Sequence, residues 1–145
     1  MLCAGVAVFV AIPSAAQAQA RPAIPGEQGL ARLVWGAMVA LDHANRTGNY
    51  SVLYSLGSVG FQDVNSPQKL SETFAPLRRN RVDVGRAVLI APRYHLPPAI
   101  DDGGVLRLRG SFDFRPTGLG FDLMFEWDGG WTLLGLSVAE VKTSP

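Results

Sequence analysis

The sequence predicts an α+β domain, with N-terminal helices packed on a curved antiparallel four-stranded meander. Three observations carry that expectation. Apolar residues recur at three- and four-residue spacing from Gln28 to Arg46 and again from Leu70 to Leu77, the period of a helix with one buried face. Beyond Ala87 the period changes to two, with Leu106, Leu108, Phe112 and Phe114 alternating with Arg107, Arg109, Asp113 and Arg115, as in a half-buried strand. Turn residues divide this second half at Asp101-Asp102-Gly103-Gly104, Pro116-Thr117-Gly118 and Asp128-Gly129-Gly130, as hairpin connections require. Helices first and strands after is the order of an α+β layer arrangement.

Taken in order, residues 1–20 read as a cleaved export signal. Leu2 to Ile12 is an apolar run, and Ala16-Gln17-Ala18 and Ala18-Gln19-Ala20 fit the small-residue cleavage pattern near Ala18 or Ala20. Eleven residues make a helix of roughly 16 Å, too short for a hydrocarbon core of about 30 Å. A periplasmic or secreted chain with no membrane span after cleavage is expected. Residues 21–27, with two prolines, form an extended lead-in, and a single domain covers 28–140. Its first helix buries Leu30, Leu33, Val34, Ala37, Met38, Leu41 and Ala44 and stops at Gly48. Asn49 caps a short second helix through Leu56, and Gly57 and Gly60 bracket a loop. Ser66-Pro67 starts a third helix, which Pro76 kinks or ends near Ala75. The strands are then Ala87–Ala91, the run from Leu106, the run Phe121–Trp127, and Trp131–Val138, with 141–145 as a tail.

Composition narrows the function. The chain has 145 residues, with 13 Lys+Arg against 12 Asp+Glu, so it offers no electrostatic case for a nucleic-acid partner. Cys3 is the one cysteine and falls in the export signal, which leaves the mature chain no disulfide, nucleophilic thiol or thiolate ligand. His43 and His95 are the only histidines. A zinc site needs three or four ligands, so no metal and no cofactor is expected. His43 falls opposite the apolar stripe of its helix and His95 at a strand end, and both read as surface residues. Gly57-Ser58-Val59-Gly60 has the wrong spacing for a nucleophile elbow, and Gly118-Leu119-Gly120 has no following helix for a dinucleotide loop.

Two residue groups remain as ligand contacts. Trp35 and Asp42 lie two turns apart on the first helix, and Tyr54 follows on the next. Together they could present a stacking surface, a carboxylate and a phenol at a pocket mouth. Simple rim packing, with Asp42 accepting from backbone donors, is the plainer account. Phe74, Phe112 and Phe125 read as core residues that line any cavity there is. The run Arg78-Arg79-Asn80-Arg81, with Arg86 nearby, suits the C-terminal end of a helix, where cations are favoured, and offers an anion contact as the alternative.

Ala40-Leu41-Asp42 with Thr47-Gly48-Asn49-Tyr50 resembles the first-helix ending and D-x-G-x-Y turn of the nuclear transport factor 2-like (cystatin-like, SnoaL-like) superfamily, here with a longer interval between Asp and Gly. Asp128-Gly129-Gly130-Trp131 is similar to its D-G-x-W final hairpin. The resemblance spans roughly residues 28–138 and extends to exported proteobacterial proteins of this fold. It implies a cone-like pocket between sheet and helices that serves isomerases, dehydratases and hydrolases, or a binding or dimerisation surface; fold does not decide among them. No segment reproduces a catalytic motif of the superfamily, and no catalytic residue is assigned. The expected function is non-enzymatic binding of a small apolar or amphipathic ligand or an envelope protein partner. A homodimer through the sheet face bearing Arg107, Arg109, Asp122 and Glu126 is compatible with it. The alternative is an isomerase- or dehydratase-type enzyme with Asp42 or Tyr54 as the acid–base group.

Overall fold

The structure, a computed structural model, describes residues 22–142; the expected export signal over residues 1–20, Arg21 and the last three residues lie outside them. The first helix, α1 (Glu27–Thr47), buries Leu30, Val34, Ala37, Met38, Leu41 and Ala44 as its periodicity requires. It ends where expected: Gly48 is left-handed, at φ 73°, and its N–H bonds the Ala44 carbonyl. Asn49 Oδ1 accepts from the Ser51 N–H at 3.0 Å, which opens α2 (Ser51–Ser55), although Tyr50 holds the boundary position.

The expected loop after Gly57 is instead a third helix, α3 (Val59–Val64). Glycine disfavours a helix by about 1 kcal/mol, but the Ser58 hydroxyl caps the Phe61 N–H at 3.3 Å and Phe61 is buried. Those two contributions offset the glycine. The Ser66 hydroxyl caps α4 (Pro67–Thr73) and Pro67 sits in its first turn. Pro76, which has no N–H to donate, falls just past the break at Phe74 that separates α4 from α5 (Ala75–Arg79). Leu70, Phe74 and Leu77 form one buried stripe across both.

Ala87–Ala91 is not a strand. Val84–Leu89 forms a 3₁₀ helix whose buried residues, Val84 and Ala87, are three apart, the repeat of that helix; Val88, Leu89 and Ile90 are exposed. The outermost position of the sheet goes instead to two two-residue strands, β1 (Arg93–Tyr94) and β2 (Ala99–Ile100). Both pair antiparallel with β3 (Leu106–Phe112), β1 near its end and β2 at its start. Pro97 and Pro98 lie between them and cannot donate to a ladder.

The expected meander is otherwise present: β3 pairs with β4 (Thr117–Trp127), and β4 with β5 (Trp131–Lys142). The sheet is therefore a curved antiparallel array of five strands in four ladder positions. Thr117 and Gly118, expected in a turn, belong to β4, and β5 continues to Lys142. A bulge at Met124/Phe125 leaves Leu134 as an extra residue on β5, which bends and twists a sheet. Beside it the α2–α3 turn docks on the strand: the Ser58 N–H donates to the Leu133 carbonyl at 2.8 Å.

Leu106, Leu108, Phe112, Phe121, Leu123, Phe125 and Leu133 face the helices and make the core with α1. Trp127, placed inward by alternation, is 49% exposed and meets Trp131 edge-on at 5.3 Å. At the hairpin end the core has no depth left to cover it.

Candidate functional site

A two-lobed groove runs between the C-terminal half of α1 and the segment from α5 through the 3₁₀ helix. One lobe, of 340 Å³, is lined by Asn45, Leu77, Arg78, Arg81 and Val82, the other, of 280 Å³, by Val39, His43, Gly85, Arg86, Val88 and Leu89. Asp42, Arg46 and Asp83 line both.

Asp42 forms the joint. It is 7% exposed, and its Oδ1 accepts from the Gly85 N–H at 3.1 Å, while Arg46 donates to Oδ2 at 3.4 Å. A side chain on Gly85 would stand 3.0 Å from that carboxylate, so the close approach depends on glycine there. One turn further along, Asn45 Oδ1 accepts from the Tyr50 hydroxyl at 2.5 Å, and that hydroxyl in turn accepts from Arg78. The proton direction in this chain is forced. Arginine has only donors, so the tyrosine hydrogen goes to Asn45 Oδ1. The Asn45 Nδ2 group is then a second donor, buried and with no partner among the described residues.

The end of α5 supplies the other distinctive feature. The Val82 N–H bonds the Leu77 carbonyl at 2.9 Å and the Arg81 N–H bonds that of Arg78 at 3.1 Å. This pair of bonds is a Schellman stop, in which the left-handed residue is usually glycine. Arg81 holds that place, at φ 53°, where a residue bearing a Cβ costs about 1–2 kcal/mol. Its guanidinium lines the groove with no hydrogen bond or ion pair among the described residues. Arg86 is occupied, stacked 4.1 Å over the Phe114 ring. Four guanidiniums against the carboxylates of Asp42 and Asp83 leave the groove with an excess of two positive charges.

The other residues singled out in the sequence do not gather here. Trp35 donates through Nε1 to the Ile90 carbonyl at 3.3 Å, so it braces the end of the 3₁₀ helix. Tyr54 packs against the core and lines neither lobe. Phe74 and Phe112 are core residues, and Phe125 borders a 100 Å³ apolar cleft with Leu33, Trp131 and Leu133. Only Asp42 of the six belongs to the groove. Asn45, Arg46 and Asp83 were missed, because they meet Arg78 and Arg81 only through tertiary packing.

A second polar cluster lies on the outer face of the sheet. His95 Nε2 is 2.9 Å from the Ser111 hydroxyl, which donates to Asp113 Oδ1 at 2.6 Å, and Arg93 donates to Asp113 Oδ2 at 2.7 Å. The Ser111 hydrogen bond, helped by Arg93, holds the Asp113 carboxyl below its ordinary value. The wiring is not that of a nucleophilic triad, which needs the imidazole between serine and carboxylate. Here serine is the middle member and its proton is already committed to Asp113. Among the described residues, no group of His, Cys, Asp and Glu can hold a metal ion, and no helix is long and apolar enough to cross a membrane.

No protein-family model, curated protein or solved structure matches the chain.

Proposed function

We propose that the chain is an exported, non-catalytic binding domain of the nuclear transport factor 2-like type, and that its ligand is a small amphipathic molecule seated in the groove along α1. The observation that carries this reading is the pairing of chemistries in one channel. Leu89, 72% exposed, and Val88 stand in one lobe and the Arg81 guanidinium in the other, with Arg46 lining both. A leucine so placed, beside polar walls, suits a ligand with an apolar part and a polar part. An external site is supported by the burial of Phe74, Phe112, Phe121 and Phe125 in the core. The acid–base alternative has no comparable support. The Asp42 carboxylate is occupied by Gly85 and Arg46, and Tyr54 does not share its groove.

Isothermal titration of the full chain, purified from expressing cells, with octyl phosphate, octyl glucoside and octyltrimethylammonium tests the reading. Saturable binding of at least one of these, weakened about tenfold or more by Leu89→Asp, is expected. Failure of all three to bind would overturn it.

A further inference from the structure

We infer that the polar end of the ligand is an oxyanion (a phosphate, sulfate or carboxylate head group) held by Arg81 and Arg46. The inference rests on the binding reading above and goes on to assign the chemistry of the head group.

Two observations point there. Arg81 occupies the left-handed stop of α5, the position where glycine is the least strained choice. A strained residue persists where something else favours its side chain, and within the fold the Arg81 guanidinium has no partner among the described residues. The groove around it also carries an excess of two positive charges, from Arg46, Arg78, Arg81 and Arg86 against Asp42 and Asp83. Arg78 and Arg81 line the same lobe, so what the lobe lacks is an acceptor carrying negative charge. Arg46, whose side chain is 74% exposed and only loosely held to Asp42, is free to join them. Asp83, which also lines this lobe, sets one uncommitted carboxylate against these cations.

The same titrations, extended to inorganic phosphate and to two variants, test the assignment. Octyl phosphate is expected to bind at least tenfold more tightly than octyl glucoside or octyltrimethylammonium. Arg81→Gly is expected to weaken octyl phosphate about tenfold or more while raising the melting temperature by roughly 2–4 °C. A loss of affinity in a more stable protein cannot come from unfolding. Arg46→Gln, which removes the second cation, should weaken octyl phosphate and leave octyl glucoside unchanged. Equal affinity for the three octyl compounds, or an Arg81→Gly protein that binds octyl phosphate as before, would overturn the oxyanion assignment and leave the binding reading standing. Inorganic phosphate binding as tightly as octyl phosphate would instead retain the oxyanion site and overturn the amphipathic ligand.

Discussion

Tyr94 carries a buried hydroxyl with no hydrogen-bond partner among the described residues, while its ring meets Phe121 edge-on at 6.2 Å. An unsatisfied buried hydroxyl destabilises, so Tyr94→Phe, which keeps the ring contact, should raise stability by up to about 1 kcal/mol in urea denaturation. Burial, with the Glu27 carboxylate adding to it, pushes the phenol above its ordinary 10.0. The unfolded chain therefore ionises first. This contribution is fully present below pH 10 and is lost as pH rises through the folded value. The Tyr94→Phe variant should show a shallower loss of stability above pH 10 than the parent; identical alkaline profiles would contradict the assignment. At this scale the sequence was legible where a residue acts locally. Ser66 and Gly48 do what a cap and a stop must, because their partners lie within four residues. Arg81 looked like an ordinary cation at a helix end, and only its backbone conformation shows that it displaces a glycine.

Among the elements, the clasp between α1 and the 3₁₀ helix depends on one carboxylate. Asp42→Ala would leave the Gly85 N–H without its acceptor and Arg46 without its partner. The expected cost is about 1–3 kcal/mol, read as a lower urea midpoint with faster hydrogen exchange at Gly85. Unchanged protection at Gly85 would show that the clasp holds by packing alone. The long helix and the strands β3 to β5 were readable because their patterns run through seven residues or more. The short elements were not. Ala87–Ala91 is an apolar run of the length that strand and helix share, and two-residue strands such as β1 and β2 have no period to detect. Helix α3 was hidden by Gly60, since its stability comes from the Ser58 cap and from Phe61 in the core.

For the molecule as a whole, charge is concentrated on the outer face of the sheet. Asp122 accepts from Arg107 at 2.9 and 2.7 Å and from Arg109 at 3.0 Å, so these groups satisfy one another within a single chain. That weakens the case for their pairing across a dimer. The Arg107 hydrogen bonds, with Arg109, hold the Asp122 carboxyl below its ordinary 3.8. A lowered folded value stabilises above the unfolded one and is lost as pH falls through the folded value. Thermal unfolding between pH 5 and pH 2 should therefore fall less steeply for Asp122→Asn than for the parent. Parallel curves would show that the cluster contributes nothing to acid sensitivity. The overall α+β order was legible in the switch of period from 3.6 to 2. The groove was not, because residues 42–46 and 78–86 are distant in sequence and meet only when α5 and the 3₁₀ helix fold back along α1.

The two margins of the sheet are unlike. On one, Pro97 and Pro98 break the border strand into the stubs β1 and β2; on the other, β5 runs for 12 residues and, among the described residues, has only Gly57 bridged to its free side. A sheet able to accept new strands on both sides can polymerise without limit, whereas one that accepts them on a single side can only be capped. Backbone pairing between copies of this chain would therefore stop at two, β5 against β5 about a twofold axis. The prolines leave the opposite margin only two-residue segments on which a further strand could pair.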